Sequence, residues 1–131
     1  MRKTVWLFLT ISALNGFAAE PFRFNVQLYG AKGDGVSKET AALQSAIDAC
    51  AAQKGGTVYV PAGVYLSGSL HLKSNVALYL DHGATLTASP DDRDFDPCET
   101  LGFKNAADHE TSFFHFALLW AEDQHHITIA G

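Results

Sequence analysis

The chain has 131 residues, 47% hydrophobic and 18% charged, with 9 basic and 14 acidic side chains. That is one small domain of ordinary globular composition, which excludes wholesale disorder. The acidic balance and the lack of a basic run speak against a nucleic-acid partner and say nothing positive about substrate.

The first 18 residues read as a signal peptide. Arg2 and Lys3 make a positive start, "VWLFLTISAL" (Val5 to Leu14) is an apolar run, and Gly16 and Ala18 supply small residues for cleavage. The alternative is a membrane anchor, but the run is short of the roughly 20 residues a span needs. The expectation is a mature chain starting near Ala19, secreted or periplasmic, with no membrane span left. Loss of Arg2 and Lys3, with no acid before Glu20, takes the net charge from −5 to −7. Export permits a disulfide. Cys50 and Cys98 are the two cysteines; a buried free thiol at Cys50 and a Cys50–Cys98 bridge both stay open, because spacing does not decide between them.

"PFRFNVQLYG" alternates, with Phe22, Phe24, Val26 and Leu28 on one side, and predicts a half-buried strand ending at Gly30. The segment "YGAKGDG" follows. A phosphate loop needs Gly-Lys-Ser/Thr or a third glycine at the right offset, and Lys38 stands where that glycine would be. The structural reading is a sharp turn in which Gly30, Gly33 and Gly35 supply positive φ and Asp34 bonds locally. A helix is predicted next, over "SKETAALQSAIDACAAQKGG". Ser37 serves as N-cap, Glu39 lies in the first turn, Ala42, Leu43, Ala46, Ile47 and Cys50 line one face, and Lys54 and Gly55 mark the end.

Short apolar triplets then begin at Val58, Val64, Leu70 and Val76, six residues apart, separated by turn formers, with a fifth strand near Leu86. Tight hairpins fit this pattern. So does a coiling sheet whose short strands lie on successive faces and pair with the next coil. A solenoid has an open end that needs covering, and the preceding amphipathic helix is well placed as a cap. From Ser89 to Ser112 the chain turns polar and reads as a surface excursion. Phe114 to Ala121 and "HITIAG" return to strand, and a chain stopping at Gly131 in mid-coil is expected to be truncated.

The order strand, "YGAKGDG", "TAALQSAIDAC", "GGTVYVPAGVYLSGSLHLKSNVALYL", "GATLTAS" resembles the start of the family 28 glycoside hydrolases, the polygalacturonases and their relatives in the pectin-lyase-like superfamily. The likeness runs from about Phe24 to Gly131. It implies an all-β solenoid, a right-handed parallel β-helix with an N-terminal α-helical cap. Residues 19–56 would form the strand and capping helix, and residues 57–131 the first coils. It implies a secreted pectin-degrading hydrolase acting on galacturonan or rhamnogalacturonan, without cofactor and as a monomer. The alternatives are a polysaccharide lyase and a non-catalytic polysaccharide-binding β-helix.

Glycoside hydrolysis needs a general acid and a base or nucleophile flanking the bond. The motifs that carry them in the resembling family are absent, so no catalytic residue is assigned here; they are expected beyond Gly131. Asp91-Asp92 reads as loop and Asp81-His82-Gly83 as a turn. His109, His115, His125 and His126 lie near Asp108, Glu110 and Asp123, but none has the His-x-x-x-His spacing of a zinc site, so no metal is assigned. His71 reads as solvated and Trp120 as core.

Overall fold

The structure, a computed structural model, describes residues 22–98 and 115–131. The proposed signal peptide, Phe114, and Asp108, His109 and Glu110 lie outside those residues.

The repeat builds coils rather than hairpins. Strands β3 (Gly56–Val60), β4 (Gly63–Ser67) and β5 (Leu70–His71) make three sides of one turn; β6 (Val76–Leu80), β7 (Ala84–Ala88) and β8 (Leu119–Trp120) make three sides of the next. Every described pairing is parallel. Sheet A has the order β1-β3-β6-β9, with β1 at Arg23–Asn25 and β9 at Thr128–Ala130. Sheet B is β2-β4-β7, with β2 at Asp34–Lys38, and sheet C is β5-β8. Gly56 pairs with Val76 and Gly63 with Ala84, so one coil takes 20 or 21 residues. The six-residue spacing is the step from one face to the next.

Inward residues stack along the coil axis. Val58 pairs with Leu78 and Val60 with Leu80, while Thr57 and Tyr59 alternate outward as the two-residue period of a strand requires. Val58, Val60, Tyr65, Leu70, Leu72, Val76 and Leu78 are buried. Helix α1 (Thr40–Ala52) joins this core through Leu43, Ala46, Ile47 and Cys50. Alanine-rich, it lies close to the sheets, and Gln44 reaches the edge of β5. His71 N donates to Gln44 Oε1 (2.8 Å), and Gln44 Nε2 donates to His71 O (3.1 Å). Thr40 Oγ1 likewise accepts from Gly68 N at 2.8 Å. Side chains of the helix thus satisfy backbone groups that a further strand would otherwise bond.

Three expected elements differ. The strand over Phe22 to Leu28 shrinks to β1, because the Asn25 side chain accepts from Gln27 N (3.0 Å) and turns Val26–Tyr29 into a 3₁₀ helix. Val26 is buried by that turn, while Leu28 is thrown outward, 83% exposed. Ser37 belongs to β2 rather than to a helix cap, and α1 starts at Thr40. Within the described part of the Phe114 to Ala121 run, Leu119–Trp120 is strand.

Candidate functional site

The glycine segment is filled by its own chain. Gly30, Gly33 and Gly35 have φ of 101°, 67° and 72°. Asp34 Oδ1 accepts from Val36 N (2.9 Å) and Ser37 N (2.7 Å), and Oδ2 accepts from Ser37 Oγ (2.7 Å). Those bonds, led by the one from Ser37 N, pull the Asp34 carboxyl down to about 2. Glu39, expected in the first turn of the helix, is the N-cap residue of α1. It is 2% exposed, and its Oε1 accepts from Lys32 N (3.0 Å) and Gly33 N (3.2 Å). The donors that would greet an anion are already spent on a carboxylate seven residues on. A Cβ on Gly33 would lie 2.9 Å from Tyr65 Cζ, so the turn sits directly on the fully buried Tyr65 ring.

The aspartates at Asp91 and Asp94 are also tied down. Arg93 grips Asp91 through Nε and Nη2, both at 2.9 Å, and Lys38 Nζ reaches Asp94 Oδ1 (2.7 Å) and Asp91 Oδ2 (3.3 Å). Arg93 hydrogen bonds, then its backbone N–H, hold Asp91 well below the usual carboxylate range. Asp81 accepts from the Tyr59 hydroxyl and from His82 N, and is lowered chiefly by the tyrosine. Neither Asp91 nor Asp81 suits proton donation at neutral pH. The segment is seated on Gly68: a Cβ there would fall 1.7 Å from Asp94 O, an approach that leaves room for no side chain.

Beyond Asp94 the same segment reaches sheet C. Asp96 N donates to Ser69 Oγ (2.9 Å), and Ser69 Oγ donates to Ala117 O (2.8 Å). Asp96 Oδ2 accepts from Trp120 Nε1 (2.7 Å) and lies 2.5 Å from His71 Nε2. Burial pushes this carboxyl up, but the bonds from His71 and Trp120 outweigh it and leave it lowered. His71 and Trp120 are side by side because Leu70 pairs with Leu119 and His71 with Trp120. Their ring centroids are 4.6 Å apart, and His115 stacks on Trp120 at 4.3 Å, with its Nε2 3.8 Å from Glu122 Oε2. A groove opens here, lined by His71, Lys73, Trp120, Glu122 and Gln124 among others. His71 is therefore not simply solvated, and Trp120 is half-buried in a polar cluster rather than core. The alternation of Leu70-His71-Leu72 placed His71 outward; the partner brought by a segment 25 residues on left no local signal.

Cys50 and Cys98 are free thiols, so the bridge left open by the sequence does not form in this structure. Cys50 is fully buried in the α1 face, and burial pushes its thiol up. Among the described residues no three His, Cys, Asp or Glu side chains gather to hold a metal ion, and no helix is long and apolar enough to cross a membrane.

Residues 23–92 match the family model described as rhamnogalacturonase A/epimerase, pectate lyase-like. An exo-poly-alpha-D-galacturonosidase of Dickeya chrysanthemi is 48% identical over 77 residues, covering 59% of this chain and 12% of that protein. The mannuronan C5-epimerase AlgE3 of Azotobacter vinelandii is 54% identical over 61 residues, 40% of this chain and 3% of that one. Among solved structures, the family 28 exopolygalacturonase of Yersinia enterocolitica superposes with a TM-score of 0.65 at 35% identity, over 85% of this chain and 19% of the other. The chain thus spans a small fraction of the length of the relatives it matches. The match covers β1 to β7 and reaches into the Asp91–Asp94 segment, more than half of the chain: the protein belongs to the rhamnogalacturonase A/epimerase, pectate lyase-like family.

Proposed function

We propose that this chain contributes the first coils of a longer, secreted or periplasmic glycoside hydrolase that cleaves a pectic polysaccharide, galacturonan or rhamnogalacturonan. The observation that carries the reading is the three-sided parallel coil of 20 or 21 residues in a chain 48% identical, over 77 residues, to an exo-poly-alpha-D-galacturonosidase. In this reading the coil is right-handed and residues 1–18 are removed on export. Helix α1 is its cap: Gln44 and Thr40 occupy the backbone groups of the first coil, and the Leu43–Cys50 face covers the apolar interior. The acid and base that break the glycosidic bond belong to coils outside these residues, since Asp81 and Asp91 are each held as charged, bonded carboxylates. The protein acts as a monomer.

The test is release of reducing ends from polygalacturonan by the 131-residue chain and by the protein extended to the length of its relatives. Activity only in the extended protein is expected. Activity of the short chain alone would overturn the placement of the chemistry. The likeness to a mannuronan C5-epimerase supports a second reading, in which the uronate C5 proton is abstracted and elimination or epimerisation follows. Unsaturated products, read by their absorbance in the same assay, would favour a lyase. Inactivity on every pectic polymer would favour a binding β-helix.

A further inference from the structure

The groove beside sheet C holds charges that the fold does not consume. Among the described residues, Lys73 has no ion-pair or hydrogen-bond partner, although every side chain opposite it on the Asp96 side is tied into the cluster. Glu122 lines the same groove but is paired with His115 and not with Lys73, so the Lys73 ammonium is open to an anion from outside. His71 adds a second group. Its Nε2 lies 2.5 Å from the Asp96 carboxylate and is taken up by that contact. No described residue bonds Nδ1. The ring itself is locked, with Trp120 against it and with both backbone polar groups of His71 held by Gln44. Glu122, largely exposed across the groove, offers carboxylate oxygens to hydroxyl donors.

We infer that this groove is a binding subsite for a single uronic-acid unit of a polysaccharide: Lys73 takes the sugar carboxylate, and His71 Nδ1 and Glu122 bond its ring hydroxyls. The inference rests on the reading of the protein as one that handles acidic polysaccharide, and it adds where a sugar is held. The indole of Trp120 is not a stacking platform in this arrangement, because His71 and His115 lie against it. It is the wall that keeps His71 in place. The site would position the chain of a substrate, while the acid and base of bond cleavage are placed by the proposed function on coils outside these residues.

Trigalacturonate, trimannuronate and the neutral galactotriose are titrated into the chain, with the His71 and Trp120 side-chain resonances and all backbone amides followed by NMR. Trigalacturonate is expected to shift His71 and Trp120, galactotriose to shift neither. Replacing Lys73→Met removes one charge-assisted bond and is expected to weaken binding about tenfold, with Lys73→Arg keeping most of it. The amide spectrum reports whether Lys73→Met folds, and the galactotriose comparison decides the point without any variant. Silence of His71 and Trp120 toward both acidic sugars, or equal binding by Lys73→Met and the wild type, would overturn the subsite. Binding of trimannuronate with none of trigalacturonate would keep the uronate site and sink the pectic reading.

Discussion

Sheets A and B and sheet C are held together by different physics. At the centre of A and B, the five-residue strands β3 and β6, and β4 and β7, pair along their length, and the inward residues form ladders such as Val58 on Leu78. In C, two strands of two residues pair, and the remaining order comes from side chains: Gln44 on one edge of β5, and Asp96 fastening His71 and Trp120 outside. The core of the first pair of sheets does not depend on the outward residues, although Tyr59 and Lys38 fasten Asp81 and Asp94 from that side. The third depends on individual polar groups, each with one geometry. A solenoid can therefore keep its repeat on two faces and spend the third on chemistry.

Breaking the ladder should cost most. Leu78→Ala, at a position 1% exposed, is expected to destabilise by about 2–5 kcal/mol, measured by urea denaturation. A loss no greater than that of an exposed residue would mean the coil core is not packed as described. Gly68→Ala comes next, and it separates the two regions. With Asp94 O 1.7 Å from the new Cβ, the segment must lift off sheet C while A and B stay paired. The expected result is loss of the Trp120 and His71 signature with far-ultraviolet circular dichroism largely retained; cooperative collapse of both would erase the distinction.

Asp96→Asn sharpens the same comparison. It weakens two bonds to an ionised acceptor and should cost about 1–2 kcal/mol. The sign with pH follows from the lowered carboxyl. Its folded value lies below its unfolded value, so its contribution is full above the ordinary carboxylate range and is lost as pH falls through the lowered folded value. The wild-type minus Asn difference, followed by denaturation against pH, should shrink on acidification. A difference that grows would reverse the assignment. The Asp34 turn behaves alike: its carboxyl moves from 3.8 to about 2, so Asp34→Asn should matter above about pH 4 and cease to matter near pH 2. The smallest effect is at the cysteines. Cys98 should react with a thiol reagent in the native protein, and buried Cys50 only on unfolding. Two unreactive sulfurs that also fail to react when denatured without reductant would restore the bridge.

The same division decided what the sequence could tell. The triplets at Val58, Leu70 and Val76 mark β3, β5 and β6 because a strand with one face inward is apolar at alternate positions; the triplet at Val64 marks β4 with the phase reversed, Tyr65 buried and Val64 42% exposed. The α1 face was legible for the same reason, through Leu43, Ala46, Ile47 and Cys50. Where a side chain captures the backbone, periodicity misleads: Asn25 ends β1 early, and Glu39, at the N-cap of α1, is buried with its carboxylate turned back onto Lys32 N and Gly33 N. The cluster at sheet C was hidden because Asp96 and Trp120 meet His71 only after the chain has left the repeat and come back. Distance in sequence carries no period.

That departure and return has a further meaning. Residues 89–118 lie between β7 and β8, yet β8 rejoins the stack on β5 one coil above it, in line with Leu70. The coil is thus indifferent to how much chain leaves at this corner, since doubling the length of a closed loop costs only about 0.6 kcal/mol. The corner acts as a socket. An excursion of another length, with another residue in the place of Asp96, would change what meets His71 and leave the ladder of Val58 on Leu78 as it is. If the groove beside sheet C holds a sugar as proposed, its preference can change there by insertion and deletion without any substitution in the packed core.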